Sequence, residues 1–126
     1  MPFKLLIVED NLLNQKILSF YMKKEFETRV ASTGEEALDI LRNEWFDIVL
    51  MDLMLPGMDG YGVSLQIRQL EKVLYYPRRI KIIALTANTL DNDKARCLQG
   101  GMDGYLSKPF EYQKLHDILV TLNMIG

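Results

Sequence analysis

Cysteine and histidine are nearly absent: Cys97 and His116 each stand alone in 126 residues. One cysteine cannot close an internal disulfide. With no signal-type apolar segment behind a basic start, the chain points to a reducing, cytoplasmic setting. One histidine excludes a metal site of the paired-histidine kind. No apolar run approaches the roughly 20 residues a membrane span needs. Basic runs are missing too: 15 Lys and Arg against 17 Asp and Glu give a net charge of -2, which argues against nucleic-acid binding by this chain alone. Internal repeats, linkers and low-complexity stretches are also lacking.

What is present fits one globular domain over residues 1–126, with 48% hydrophobic and 25% charged residues, enough for a real core and little more. The stretch around which the chain is organised is Ile48-Val49-Leu50-Met51-Asp52, an unbroken apolar run closed by one carboxylate and followed by the turn Leu55-Pro56-Gly57. A run without polar alternation, too short for a helix, reads as a strand buried on both faces. Asp52 therefore lies at the carboxyl end of a strand, where ligands and chemistry collect in open α/β sheets.

Taken in order, Phe3 to Val8 reads as a first strand closed by Glu9-Asp10-Asn11. Asn11 suits a helix cap, and Leu13, Ile17, Phe20 and Tyr21 recur at helical spacing, predicting a first helix that ends near Glu25. Thr28 to Ser32 is a weak second strand. Thr33-Gly34-Glu35-Glu36 matches a capping box for a second helix with Ala37, Leu38 and Leu41 inward. After the third strand, Ile48 to Met51, Asp59-Gly60 opens a third helix whose stripe is Val63, Ile67, Leu70 and Leu74, broken by Pro77. Ile80 to Leu85 is a fourth strand, ending at Thr86-Ala87-Asn88. Thr89 to Gln99 reads as a fourth helix with a thin apolar stripe (Leu90, Ala95, Cys97, Leu98), stopped by Gly100-Gly101. Gly104 to Lys108 is a short fifth strand closed by Pro109, and the fifth helix carries Leu115, Ile118, Leu119 and Leu122 on one face.

Strand alternates with helix five times, so the strands need crossover connections and hence a parallel sheet. The expected architecture is α/β: a five-stranded parallel sheet in the order 2-1-3-4-5, doubly wound by five helices, flavodoxin-like. In such a sheet the ends of strands one, three, four and five share one rim, bringing together Glu9, Asp10, Asp52, Thr86 and Lys108. Each has an ordinary reading alone: Asp52 and Thr86 as caps, Lys108 as a snorkelling surface residue. Together they read differently. Three crowded carboxylates repel, and proton uptake or a divalent oxygen-seeking cation relieves this; Mg2+ fits, because it is held by one or two carboxylates plus phosphate. Asp52 as nucleophile, with Thr86 and Lys108 as donors to phosphoryl oxygens, makes a site for phosphoryl transfer.

The pieces Leu6-Ile7-Val8-Glu9-Asp10-Asn11, Met51-Asp52-Leu53-Met54-Leu55-Pro56-Gly57-Met58-Asp59-Gly60, Ala84-Leu85-Thr86-Ala87 and Tyr105-Leu106-Ser107-Lys108-Pro109-Phe110 occur in order. As an ordered set they resemble the receiver domain of two-component response regulators over essentially the whole chain. The resemblance implies that Asp52 is the phosphoacceptor, and that Glu9, Asp10 and Asp52 hold Mg2+ with the backbone carbonyl of Met54. It further implies that Thr86 and Lys108 are phosphoryl ligands, and that Thr86 and Tyr105 form a coupled switch pair remodelling the surface of the fourth helix, fifth strand and fifth helix. For Tyr105 the plain alternative is a half-buried strand aromatic with its hydroxyl in water. The implied donor is a histidine kinase or histidine phosphotransfer protein of a phosphorelay, with an unidentified downstream target and a monomer or phosphorylation-dependent homodimer as the working unit. The implied activity is that of a signalling switch, limited to its own phosphorylation and dephosphorylation. Family members often have a cis bond at the position of Lys108-Pro109.

Glu9 stands where many relatives carry Asp. The resemblance also implies that Met54 and Asn88, two residues beyond Asp52 and Thr86, flank the path of an attacking water, and bulky, apolar Met54 is expected to screen the acyl phosphate. The stretches around Thr86 and Tyr105 most resemble receivers attached to hybrid sensor kinases, whereas Met1 and the lack of an output domain suggest a stand-alone regulator; a domain cut from a hybrid kinase would read the same. A haloacid-dehalogenase-like phosphatase would want a second Asp at position 54. A flavodoxin-like flavin module would want a phosphate-cradling loop where Glu9 and Asp10 stand. A docking-only pseudo-receiver would lack the acidic pair, Asp52, Thr86 or Lys108, and all are present.

Overall fold

The computed structural model describes residues 3–55, 57–87 and 100–124. Five strands, β1 (Phe3–Val8), β2 (Phe26–Ala31), β3 (Ile48–Asp52), β6 (Lys81–Thr86) and β7 (Gly104–Ser107), pair in parallel. Their order is β2-β1-β3-β6-β7. Setting aside the short antiparallel hairpin β4 (Met54–Leu55) and β5 (Met58–Asp59), this is the expected order 2-1-3-4-5. The described helices are α1 (Leu12–Met22), α2 (Gly34–Asn43), α3 (Gly60–Val73) and α4 (Tyr112–Thr121). The further helix expected over 89–99 lies outside the described residues.

Side chains alternate along the central strands between two cores. Leu6, Val8, Val49, Met51, Ile82 and Ala84 join the layer that includes Ala37, Leu41, Val63 and Ile67 of α2 and α3. Leu5, Ile7, Ile48, Leu50, Ile83 and Leu85 join Leu18 and Met22 of α1 with Leu115 and Leu119 of α4. All five residues of β3 are buried, which explains why its sequence shows no polar alternation. Full burial of each such aliphatic side chain contributes about 1.5–3 kcal/mol. The strand that carries Asp52 is thus anchored on both faces.

Local signals work largely as their chemistry dictates. Asn11 Oδ1 accepts from Asn14 N at 3.0 Å and Thr33 Oγ1 accepts from Glu36 N at 3.1 Å. The return arm of this capping box is displaced by one residue, because Glu36 Oε2 accepts from Ser32 N at 3.3 Å. The Lys108-Pro109 peptide bond is cis.

Several boundaries and one helix face differ from expectation. α1 turns Leu18 and Met22 inward, leaving Leu13 and Phe20 each 66% exposed. Both pairs of positions have helical spacing, so periodicity alone cannot choose between them. Tyr21 settles the choice by donating its hydroxyl to the Phe110 carbonyl at 2.9 Å and meeting Tyr112 edge-on at 5.6 Å. β2 begins at Phe26 rather than Thr28, because Phe26 aligns with Phe3 in the ladder. α3 ends at Val73, ahead of Pro77, where Leu74 caps it and Tyr75 takes a left-handed φ of 52°. Leu74 is therefore exposed rather than part of the inward stripe. Ile80 is buried but precedes β6, and Lys108 follows β7.

Candidate functional site

Each strand that ends at the carboxyl rim is continued by one more ladder bond, and these bonds place the polar residues. Glu9 N donates to Ala31 O at 3.1 Å, Leu53 N to Leu85 O at 3.1 Å, and Lys108 N to Thr86 O at 2.8 Å. The apolar runs thus stop at the same height across neighbouring strands, with Glu9, Asp52 and Thr86 buried at their ends. Asp10 is exposed beside them.

One carboxylate oxygen from each of Glu9, Asp10 and Asp52 lies within 4.8 Å of the others. Asp52 Oδ1 is oriented by the amide of Met54, which donates to it at 2.9 Å. Glu9 Oε1 accepts from Asn11 N and from Asn14 Nδ2, both at 3.2 Å. Its Oε2 is shielded from solvent and has no hydrogen-bond partner. Leaving a buried carboxylate oxygen without a partner is costly, and the cost appears in its protonation. Burial, reinforced by Asp52 and opposed by Asn14 and the Asn11 amide, pushes the Glu9 carboxyl up to about 7. A carboxylate with one oxygen left without a partner, clustered with two more carboxylates, is the donor set that a hard divalent cation takes up.

The sign of the resulting pH dependence follows from that shift. Folded Glu9 holds its proton in a range where the unfolded chain, at the ordinary value of 4.5, has lost it. Without divalent cation, the contribution of Glu9 to stability is therefore fully present below the unfolded value and is lost as pH rises through about 7. The full span is about 3 kcal/mol. Urea denaturation in EDTA at about pH 5 and about pH 8 should show this loss, and Glu9→Gln should flatten it. Equal stability at both pH values would contradict the assignment.

Thr86 ends β6 and is buried. Lys108 is exposed, and its ammonium lies 5.8 Å from the centroid of the Phe110 ring. Among the described residues it forms no ion pair with the three carboxylates, so the structure places its backbone, but not its charge, at the cluster. Tyr105 is half-buried, aligned with Ala84, and packs against the core layer beneath α2 and α3. The Met54 side chain is 78% exposed, while its backbone pairs with Asp59 in the hairpin.

Three supporting residues escape a reading of strand ends. Asn14 holds Glu9 by its side-chain amide, and Gln15 Nε2 donates to the Glu9 carbonyl at 2.5 Å. Their signal in the sequence is weak: two amides in the first turn after an acidic pair. Gly60 is the third. A Cβ there would lie 2.4 Å from the Asp52 carbonyl oxygen and 2.8 Å from Leu53 Cα, so α3 begins against the Asp52 backbone only because this residue has no side chain.

A doubly wound parallel sheet with an acidic cluster at its carboxyl rim defines an α/β arrangement of the kind that takes ligands beyond the carboxyl ends of its strands. A family model for the response regulator receiver domain matches residues 5–120. The chain belongs to that family, whose members are signalling domains of two-component systems. It is 38% identical over 120 residues to hybrid signal transduction histidine kinase K of Dictyostelium discoideum, an alignment covering 92% of this chain and 10% of the kinase. The chain thus spans about a tenth of that relative's length. Among solved structures it resembles the receiver domain of the sensor histidine kinase PA1611 of Pseudomonas aeruginosa, which has a magnesium ion coordinated in its active-site cleft. That match has a TM-score of 0.82 and 37% identity, and covers 96% of this chain and 97% of the other. A second match comes from the co-crystal structure of the Saccharomyces cerevisiae phosphotransfer protein Ypd1 with the receiver domain of its downstream response regulator Ssk1. It has a TM-score of 0.83 and 34% identity, and covers 94% of this chain and 87% of the other. Among the described residues no helix is long and apolar enough to cross a membrane.

Proposed function

We propose that residues 1–126 form one receiver domain that accepts a phosphoryl group on Asp52 from a phosphohistidine donor, either a histidine kinase or a histidine phosphotransfer protein, in the cytoplasm. The observation that carries this reading is the convergence of Glu9, Asp10 and Asp52 oxygens within 4.8 Å, around an Asp52 buried at the end of β3, while the helix that follows takes Asp59 as its cap.

Asp52 attacks phosphorus with the carboxylate oxygen; the O–P bond forms as the P–N bond to the donor imidazole breaks, and the imidazole leaves with a proton. The Met54 amide holds Asp52 Oδ1, presetting the rotamer and reducing the entropic cost of alignment. Glu9, Asp10 and Asp52, with the Met54 carbonyl, are the residues to hold Mg2+, and the orphan Glu9 Oε2 fits that role. Bound there, the cation supplies charge neutralisation to the transferring group. Thr86 donates its hydroxyl to a phosphoryl oxygen, and Lys108 swings from Phe110 to supply a second donor, a movement its exposed, flexible stem permits. Inward movement of Thr86 admits the Tyr105 ring, remodelling a surface that includes β7 and α4 and controlling a downstream partner. The working unit is a monomer or a phosphorylation-dependent homodimer.

Incubation with a small-molecule phosphoryl donor and Mg2+ should add one phosphoryl group by intact mass, and EDTA should prevent it. Absence of modification in Mg2+ would leave only a docking module. Because Met54 stands next to the acceptor, Met54→Ala should shorten the lifetime of the phosphorylated form several-fold, on the order of 1 kcal/mol in the hydrolysis barrier. A decay no faster than that of the native protein would remove Met54 as a screen.

A further inference from the structure

Gly60, Ser64 and Arg68 recur every four residues in α3 and form one row along a single face. The row is roughly 12 Å long at 1.5 Å per residue. At its first end, Gly60 abuts the Asp52 backbone. Further along, fully buried Ser64 donates from Oγ to the Gly100 carbonyl at 2.8 Å. Arg68 then donates to the Gly101 carbonyl from Nε at 3.0 Å and from Nη2 at 2.6 Å. The same guanidinium reaches the Ile80 carbonyl at 2.8 Å, Glu71 at 2.9 Å and Asp103 at 3.0 Å.

The turn is tied from its other side as well. Arg79 Nη2 donates to the Gly101 carbonyl at 3.0 Å, and Asp103 Oδ2 accepts from Ile82 N at 2.9 Å. Gly101 has a φ of +79°, and a Cβ on it would lie 3.2 Å from Arg68 Cγ, so the close approach depends on glycine. The side chains of Arg68 and Glu71 are each 13% exposed and that of Asp103 16%. Charge-assisted bonds so largely removed from water are stronger than surface ion pairs. Asp103 lies two residues before Tyr105.

We propose that Arg68 is a positioning residue of the switch: with Ser64 it clamps the 100–103 turn to the helix whose first residue abuts Asp52, so that β7 has a fixed start against which the Tyr105 ring moves. This rests on the phosphorylation reading above. Arg68 touches none of the three carboxylates, so the chemistry at Asp52 does not need it. With the turn held, the position of Tyr105 is biased by the state of the acceptor site. With the turn released, the start of β7 relaxes and Tyr105 samples both positions whatever the state of Asp52, so the coupling free energy falls.

The test uses the full chain with Mg2+ and a small-molecule phosphoryl donor, reading phosphoryl incorporation by mass and the Tyr105 resonances by NMR before and after. Arg68→Lys keeps the charge but cannot fork across two carbonyls and two carboxylates; Ser64→Ala removes a single bond and secures the experiment if the lysine variant is too unstable. Both should incorporate phosphoryl within about twofold of the native rate, while the phosphorylation-induced Tyr105 shift falls by about half or more. A purely structural role would lower stability yet leave that shift intact, and this result in folded variants would overturn the proposal. A native protein that takes up phosphoryl without moving Tyr105 would also overturn it. A native protein that takes up none would overturn the phosphorylation reading itself, and the clamp proposal with it.

Discussion

Asp52→Asn is expected to reduce phosphoryl incorporation by at least about a thousandfold, because an amide is not a nucleophile and cannot form the acyl phosphate. The substitution is nearly isosteric, and the Asn side-chain oxygen can still accept from the Met54 amide that now donates to Asp52 Oδ1. It also removes a negative neighbour that helps to raise the Glu9 carboxyl. The variant should therefore be folded and at least as stable as the native protein at about pH 8 without divalent cation. That combination, lost incorporation by mass spectrometry with undiminished stability in urea, separates an acceptor from a structural carboxylate. Undiminished incorporation would place the acceptor elsewhere.

Gly60→Ala should be the most damaging small substitution near the site. The added Cβ would stand 2.4 Å from the Asp52 carbonyl oxygen and 2.8 Å from Leu53 Cα, both backbone atoms. Neither can rotate aside as a side-chain tip would, so α3 or the end of β3 must move. A loss of about 2–4 kcal/mol is expected, in the range of overpacked or strained core positions. Ala has the better helix propensity, by about 1 kcal/mol in a helix interior, so a destabilised variant in urea would show that the backbone contact outweighs it. Phosphoryl incorporation should fall as well, because the displaced backbone carries Asp52. A variant as stable as the native protein would mean that the helix withdraws from Asp52 without cost.

Much of the site was legible because polar residues close apolar strands. Glu9, Asp52 and Thr86 stand out as the first buried polar groups after runs of Leu, Ile, Val, Met and Ala, and parallel connections place such ends on one rim. The face of α1 was not legible. Leu13 and Phe20 are as apolar as Leu18 and Met22, and only contact with Phe110 and Tyr112 sets the rotation of the helix. Asn14 was equally hidden, since an amide in a first helical turn does nothing notable until a buried carboxylate is packed above it.

Composition and periodicity determined the class of the chain: an α/β fold, a parallel sheet and a rim of carboxylates. These follow from local rules, the period of side chains along a strand or helix and the length of each connection. The tertiary structure alone decided how near the carboxylates lie to one another, which oxygen of Glu9 is left without a partner, that the Lys108 ammonium rests by Phe110, and that Arg68 grips a turn 33 residues away. Such properties depend on distances between segments remote in the chain. Those distances are set by strand register and by the packing of helices on the sheet, which no local pattern of residues contains.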